Sequence, residues 1–119
     1  MSPDSLKELF EPFGAVAVKR MFGGAGVYLD GLCFAIESGG EVFLKADAET
    51  EPAFSAAGSS PFVYNARGRT MTTSFWRLPS AAYEAPDELK RWAALGLAAA
   101  RRVAAAKAKP KGRAKAKRT

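Results

Sequence analysis

The first apolar positions of the chain recur with the period of a helix. They follow Ser2-Pro3-Asp4, which is typical of an N-cap with proline in the first helical turn. Gly14 stands where such a helix would end. The apolar stripe consists of Leu6, Leu9, Phe10 and Phe13. This spacing predicts a short amphipathic helix over residues 3–13.

From residue 15 to residue 46 the apolar positions follow the period of a strand. Asp30-Gly31 is a strong hairpin signal, and Ser38-Gly39-Gly40 predicts a second tight turn. In the segment 32–37, Leu32, Phe34 and Ile36 are predicted to face one side of the sheet, and Cys33, Ala35 and Glu37 the other. The pattern therefore predicts three or four antiparallel strands in a meander.

The second half of the chain repeats the change from helix to strands and back to helix. Glu51-Pro52 predicts a short middle helix, with Phe54 as its apolar anchor. Segments 61–64 and 70–78 predict a final hairpin, and Pro86 opens the longest helix. We predict an α+β fold in which an antiparallel sheet of about five to six strands, in meander and hairpins, is covered by an N-terminal helix, this middle helix and a long C-terminal helix. The small residues Gly96 and Ala100 would bring the last helix close to the sheet.

Charge divides the chain into two parts. The net charge is +6, but seven of the eighteen cations follow residue 106, where there is no acid, so residues 1–106 carry eleven cations against twelve acids. We predict a domain over 1–106 and a disordered basic tail over 107–119. The tail would bind nucleic acid weakly and without sequence preference, or act only as a solubilising terminus. Its cations are Lys107, Lys109, Lys111, Arg113, Lys115, Lys117 and Arg118.

The residue inventory narrows the possible chemistry. The chain has no histidine and a single cysteine, Cys33, so one copy cannot build an intrachain disulfide, a zinc site or a histidine-based triad. We expect no catalytic residues, no metal and no cofactor, and we expect Cys33 to be a small buried core residue. No apolar run approaches the ~18 residues that a membrane helix needs, and the N-terminus is not that of a signal peptide. We expect a cytoplasmic protein.

Two groups of residues are candidates for binding. Gly23, Gly24 and the adjacent Lys19 and Arg20 could cradle an anion, or the glycines could simply form a β-corner. Lys19 and Arg20 could also join Arg67, Arg69 and Arg77 in a basic patch for DNA phosphates or an acidic partner. The alternative is that these cations are solvated strand faces and loop tips. Lys45 is either functional or a charge that protects an edge strand.

Several segments together resemble the TfoX N-terminal domain family over about residues 5–104. The segments that carry the resemblance are KRMFGGAGVYLDGLCFA, VFLKAD, PFVY and SFWRLP, followed by a terminal helix with Trp92. The resemblance implies helices over an antiparallel sheet and a link to bacterial transcriptional control. Fuller members regulate natural competence with a cyclic-AMP-responsive activator and are not enzymes. They carry a second, helical C-terminal domain, and in this chain the basic tail stands at that place.

The leading hypothesis is a non-enzymatic regulatory or adaptor domain. It would contact a transcription-associated protein, as a monomer or homodimer, while the tail adds loose affinity for nucleic acid. One alternative is a direct nucleic-acid-binding module. Another is a small anionic ligand-binding domain that uses the glycine stretch.

Overall fold

A computed structural model describes residues 1–21 and 23–117, with side chains up to residue 108. Its helices are α1 (Pro3–Phe10), α2 (Glu51–Ala56) and α3 (Pro86–Lys117), with a 3₁₀ helix at Ser80–Tyr83. Its strands are β1 (Ala17–Met21), β2 (Gly24–Leu29), β3 (Leu32–Ser38), β4 (Glu41–Lys45), β5 (Pro61–Ala66) and β6 (Arg69–Arg77). The strands form one sheet in the order β1-β2-β3-β4-β6-β5, in which neighbours are antiparallel. The α+β fold predicted from the sequence is confirmed.

Helix α1 begins as the sequence predicts. The Ser2 hydroxyl accepts a hydrogen bond from the Ser5 backbone N–H at 3.1 Å, and the Ser5 hydroxyl accepts one from the Ser2 N–H at 3.2 Å. This reciprocal cap satisfies donors that have no partner within the helix. The helix ends at Phe10, three residues earlier than expected, and a turn follows in which the Phe10 carbonyl accepts bonds from the N–H groups of Phe13 and Gly14.

The hairpins follow from local turn chemistry, but the strand order does not. Asp30 and Gly31 have φ values of 54° and 77°, as a two-residue hairpin turn requires. Arg67 and Gly68, at 52° and 75°, form the same kind of turn between β5 and β6. The predicted meander continues only as far as β4, since β4 pairs with β6 and leaves β5 at the edge of the sheet.

One face of the sheet carries the core. A row of directly paired residues crosses five strands on this face, namely Val18, Val27, Ala35, Leu44 and Trp76. Helix α3 packs against it at Gly96, where an added Cβ would lie 3.2 Å from the Phe34 carbonyl oxygen and 3.3 Å from the Leu44 Cβ. The expectation that a small residue brings this helix close to the sheet is therefore confirmed at Gly96.

A β-bulge in β3 overturns the predicted alternation of that strand. Val27 pairs with Ala35 and the next residue, Tyr28, pairs with Cys33, so Phe34 is an extra residue in the ladder. Phe34 and Ala35 are both fully buried. Cys33 is only half-buried and lies outside the core cluster, so the prediction that it is a buried core residue is wrong.

Helix α3 continues past residue 106, where the sequence analysis placed a domain boundary. The helix extends to Lys117, so that boundary does not coincide with a helix end. Side chains from residue 109 onward, together with residues 118–119, lie outside the described part of the chain. The division at residue 106 and the binding role of the tail cations therefore stay predictions.

Among the described residues, no helix has both the length and the apolarity that a membrane crossing requires.

A forked ion pair attaches α3 to the loop after β4. The Arg102 Nε and Nη2 donate to the two Asp47 carboxylate oxygens at 2.6 Å and 3.1 Å. These hydrogen bonds hold the pKa of Asp47 below its usual range. A group whose pKa is lower in the folded state stabilises the fold above its unfolded pKa. That contribution is lost as the pH falls through the folded pKa.

We expect Asp47→Asn to lower the free energy of unfolding by about 1 kcal/mol at pH 7, because Arg102 is partly exposed to solvent. The difference from the wild type should vanish as the pH falls through the lowered pKa of folded Asp47, because the wild-type carboxyl then becomes protonated as well. Urea unfolding at several pH values measures this. Glu49→Gln is the control, since Glu49 is 69% exposed at 3.4 Å from the same guanidinium. A pH-independent loss in Asp47→Asn would contradict the ionic explanation.

Candidate functional site

The sheet face opposite the core, which we call the open face, carries a second row of paired residues. Leu44 lies under α3, and side chains alternate along a strand, so Phe43 points away from that helix. Its cross-strand partners share its face. The row runs Lys19, Gly26, Ile36, Phe43 and Arg77 across β1, β2, β3, β4 and β6. Where the core row is apolar throughout, this row begins and ends with a cation.

The β5–β6 hairpin leans over the open face. The Phe62 ring packs on Phe43 with centroids 4.7 Å apart, and on Tyr64 at 6.0 Å. The register of the hairpin shifts between Pro61 and Val63. At this shift the Thr73 hydroxyl donates to the Phe62 carbonyl at 3.0 Å and accepts from the Phe75 N–H at 3.1 Å. These contacts hold the start of β5 over the open face, and the rest of β5 is paired with β6.

A groove of about 500 Å³ lies between β5 and the far end of the sheet, and we call it the apolar groove. One wall is β5, and the other consists of Met21, Gly23 and the adjoining ends of β2 and β3. Its lining residues are Met21, Gly23, Gly24, Ala25, Ile36, Glu37, Ser38, Phe62, Tyr64, Asn65 and Ala66. Met21 and Tyr64 remain 41% and 45% exposed, so large apolar side chains line the groove without filling it.

Most of the sequence also matches the model of a known protein family. The model of the TfoX N-terminal domain matches residues 8–100. The chain belongs to the TfoX N-terminal domain family. A search of curated proteins found no match.

The predicted cations of this TfoX N-terminal domain do not lie on a single surface. Lys19 lies on the open face, with its Nζ 5.7 Å from the centre of the Tyr28 ring, whereas the next residue, Arg20, points to the opposite side of β1. Arg67 and Arg69 lie at the tip of the hairpin, beside the groove residue Ala66. Within residues 1–21 and 23–108, none of these four cations has a salt-bridge partner.

The remaining charges near the groove are compensated. Arg77, a predicted member of the basic patch, is bonded to Glu41 and stacks over the Phe43 ring. The buried Glu37 carboxylate accepts hydrogen bonds from the Gly40 N–H at 2.9 Å and from the Met1 ammonium at 3.2 Å. Among the described residues, the charged side chains near the groove that remain free to contact a ligand are therefore the cations Lys19, Arg67 and Arg69.

The glycine stretch is a turn followed by a strand. Gly23 has a φ of 82°, whereas Gly24 lies inside β2 and is paired with both Met21 and Ser38. Successive N–H groups of a strand point to opposite neighbours, so residues 24–26 do not form a nest of converging donors. A Cβ on Gly24 would overlap the Glu37 carbonyl oxygen. Close backbone packing explains this glycine.

Lys45 and Cys33 also differ from expectation. Lys45 lies in β4, between β3 and β6, so the interpretation as an edge-strand charge is wrong. Its Nζ donates to the Ser74 hydroxyl at 2.6 Å. Burial raises the pKa of the Cys33 thiol, and this thiol in turn raises the pKa of Tyr28. Cys33 is therefore protonated at neutral pH.

Sequence reasoning missed the apolar residues of the groove. Met21, Ile36 and Phe62 resemble ordinary strand residues, and only the folded hairpin brings them together. The sequence Phe62-Val63-Tyr64 did contain a signal for an exposed apolar surface. Its three large apolar side chains alternate between the two sides of β5, and an edge strand cannot bury both sides. Within the described part of the chain, no three His, Cys, Asp or Glu side chains are placed to hold a metal ion.

Proposed function

We propose that this TfoX N-terminal domain is a non-enzymatic regulatory adaptor that acts through contact with another protein. The observation that carries the proposal is the apolar groove, in which Met21 and Tyr64 are exposed. Near these groove residues in the sequence are Lys19, Arg67 and Arg69, which have no salt-bridge partner within residues 1–21 and 23–108. Contiguous apolar surface outside the core is typical of protein interaction sites. The relationship to TfoX supports a role in bacterial transcription and competence. The proposed partner is a transcription-associated protein, contacted in the cytoplasm by a monomer or homodimer.

Lys19 and Arg20 give a matched pair for testing this function. We expect that a strain lacking the gene changes its transcript levels, that the wild-type chain restores them, and that Arg20→Glu restores them as well. Lys19→Glu should fail, because the open face then presents a negative charge to the partner. Transcript sequencing measures the outcome. Unchanged transcripts in the deletion strain would contradict the regulatory role. Restoration by Lys19→Glu would show that the open face does not contact the partner.

A second candidate function, non-specific binding of nucleic acid, rests on the tail. Seven cations from Lys107 onward stand without any acid. Cations that neutralise phosphates release counterions, so the affinity would fall steeply with salt. A gel-shift salt series on the full chain, with the seven tail cations replaced by glutamine in the control, separates tail from domain. Binding that survives these replacements would favour the domain itself as the nucleic-acid-binding module.

The third hypothesis, a small anionic ligand at the glycine stretch, has less structural support. Lys19 and Arg20 lie on opposite sides of β1 and do not converge on Gly23. Saturable shifts of the amide resonances of residues 23–26 on addition of an anionic metabolite would revive it.

A further inference from the structure

We propose that the apolar groove binds an extended segment of a partner protein, which adds a strand along β5. An apolar side chain of this segment lies between Met21, Ile36 and Tyr64, and acidic residues beside it meet the cations of the rim. This inference rests on the proposed function as an adaptor and assigns the contact to one surface. By the rim we mean Lys19, two residues before the groove residue Met21, and Arg67 and Arg69, which follow the groove residue Ala66.

The first argument is that one wall of the groove is a sheet edge. Among the described residues β5 pairs with β6 alone, so its other side presents backbone N–H and C=O groups without a partner strand. An extended peptide satisfies such groups by strand addition, and pockets beside the edge then select alternate side chains. A volume of about 500 Å³ is within the usual range for a binding cleft.

The second argument is the chemistry of the lining. Tyr64 and Met21 stand on opposite walls with 45% and 41% of their surfaces exposed. Phe62 packs against Phe43 and keeps its wall in place. An apolar side chain inserted between the walls would bury these exposed surfaces, which favours binding in proportion to the area removed from water.

The third argument is charge complementarity at the rim. Arg67 and Arg69 follow Ala66 of the groove, and Lys19 lies on the open face two residues before Met21. The neighbouring acids Glu37 and Glu41 are already bonded to cations. The rim therefore selects acidic residues in the segment.

A display library of random twelve-residue peptides, selected on the full chain, tests the proposal. We expect enriched peptides with apolar residues at alternate positions and with Asp or Glu beside them. A synthetic copy of the most enriched peptide should bind at least tenfold more weakly to Tyr64→Glu. It should shift amide resonances of residues 23–25, 36–38 and 62–66. Enrichment of basic peptides, or the absence of a common pattern, overturns the proposal.

Val63→Glu is the matched control. Val63 directly precedes Tyr64 in β5, is 49% exposed and points to the opposite side of the strand. It should change the affinity less than twofold. Equal losses in the two variants overturn the proposal. If Tyr64→Glu does not fold, as judged by circular dichroism, Met21→Glu replaces it on the other wall. If the peptide binds but the deletion strain has unchanged transcripts, the groove is a binding site and the regulatory role is wrong. If the transcripts change but no peptide binds, the regulatory role holds and this proposal for the groove is wrong.

Discussion

We expect Gly24→Ala to lower the free energy of unfolding by about 3 kcal/mol or more. The added Cβ would overlap the Glu37 carbonyl oxygen, and the Glu37 carbonyl carbon would lie 3.1 Å away. Both atoms belong to the backbone of β3, so relief requires β2 and β3 to separate. Urea denaturation followed by circular dichroism measures the change.

Gly26→Ala is the control in the same strand. Its Cβ would meet the Met21 Cε at 2.7 Å and a ring carbon of Tyr28 at 3.0 Å, and both are far ends of side chains that can move. We expect a loss of about 1 kcal/mol or less, since alanine also reduces the freedom of the unfolded chain. A Gly24→Ala protein as stable as Gly26→Ala would show that β2 and β3 do not approach each other so closely.

We expect Phe54→Ala to lower the free energy of unfolding by about 3–5 kcal/mol. Phe54 is the buried residue of α2, and its ring centre lies 4.9 Å from that of Trp92 and 6.1 Å from that of Trp76. Its removal leaves a cavity beside both tryptophans of the chain. Tryptophan fluorescence of the folded variant should therefore shift to longer wavelength, and urea unfolding gives the energy.

Phe54→Leu keeps most of the buried volume, so its expected cost is below about 1.5 kcal/mol. If truncation to alanine costs no more than the change to leucine, α2 does not depend on this anchor.

Local chemistry made most of the elements predictable. The cap at Ser2 and the turn at Asp30-Gly31 depend on a few neighbouring residues, and both are present as expected. The bulge at Phe34 was not predictable, because it depends on which residues of β2 and β3 pair. The position of β6 between β4 and β5 likewise depends on contacts far apart in the chain.

The shape of the candidate site was not predictable from the sequence, and the binding role of its predicted cations stays a prediction. Lys19 precedes the groove residue Met21 by two positions, and Arg67 and Arg69 follow the groove residue Ala66. The groove itself depends on Phe62 packing against Phe43, which is nineteen positions away. No local pattern reports a contact of that kind.

The two rows of paired residues have a consequence for how the domain can change over time. Consecutive residues such as Val18 and Lys19 belong to different rows, so a substitution in one row leaves the packing of the other in place. Selection can therefore alter the open face from one lineage to the next while the hydrophobic row stays constant. The same separation makes the domain a scaffold on which new binding specificities can be engineered one strand position at a time.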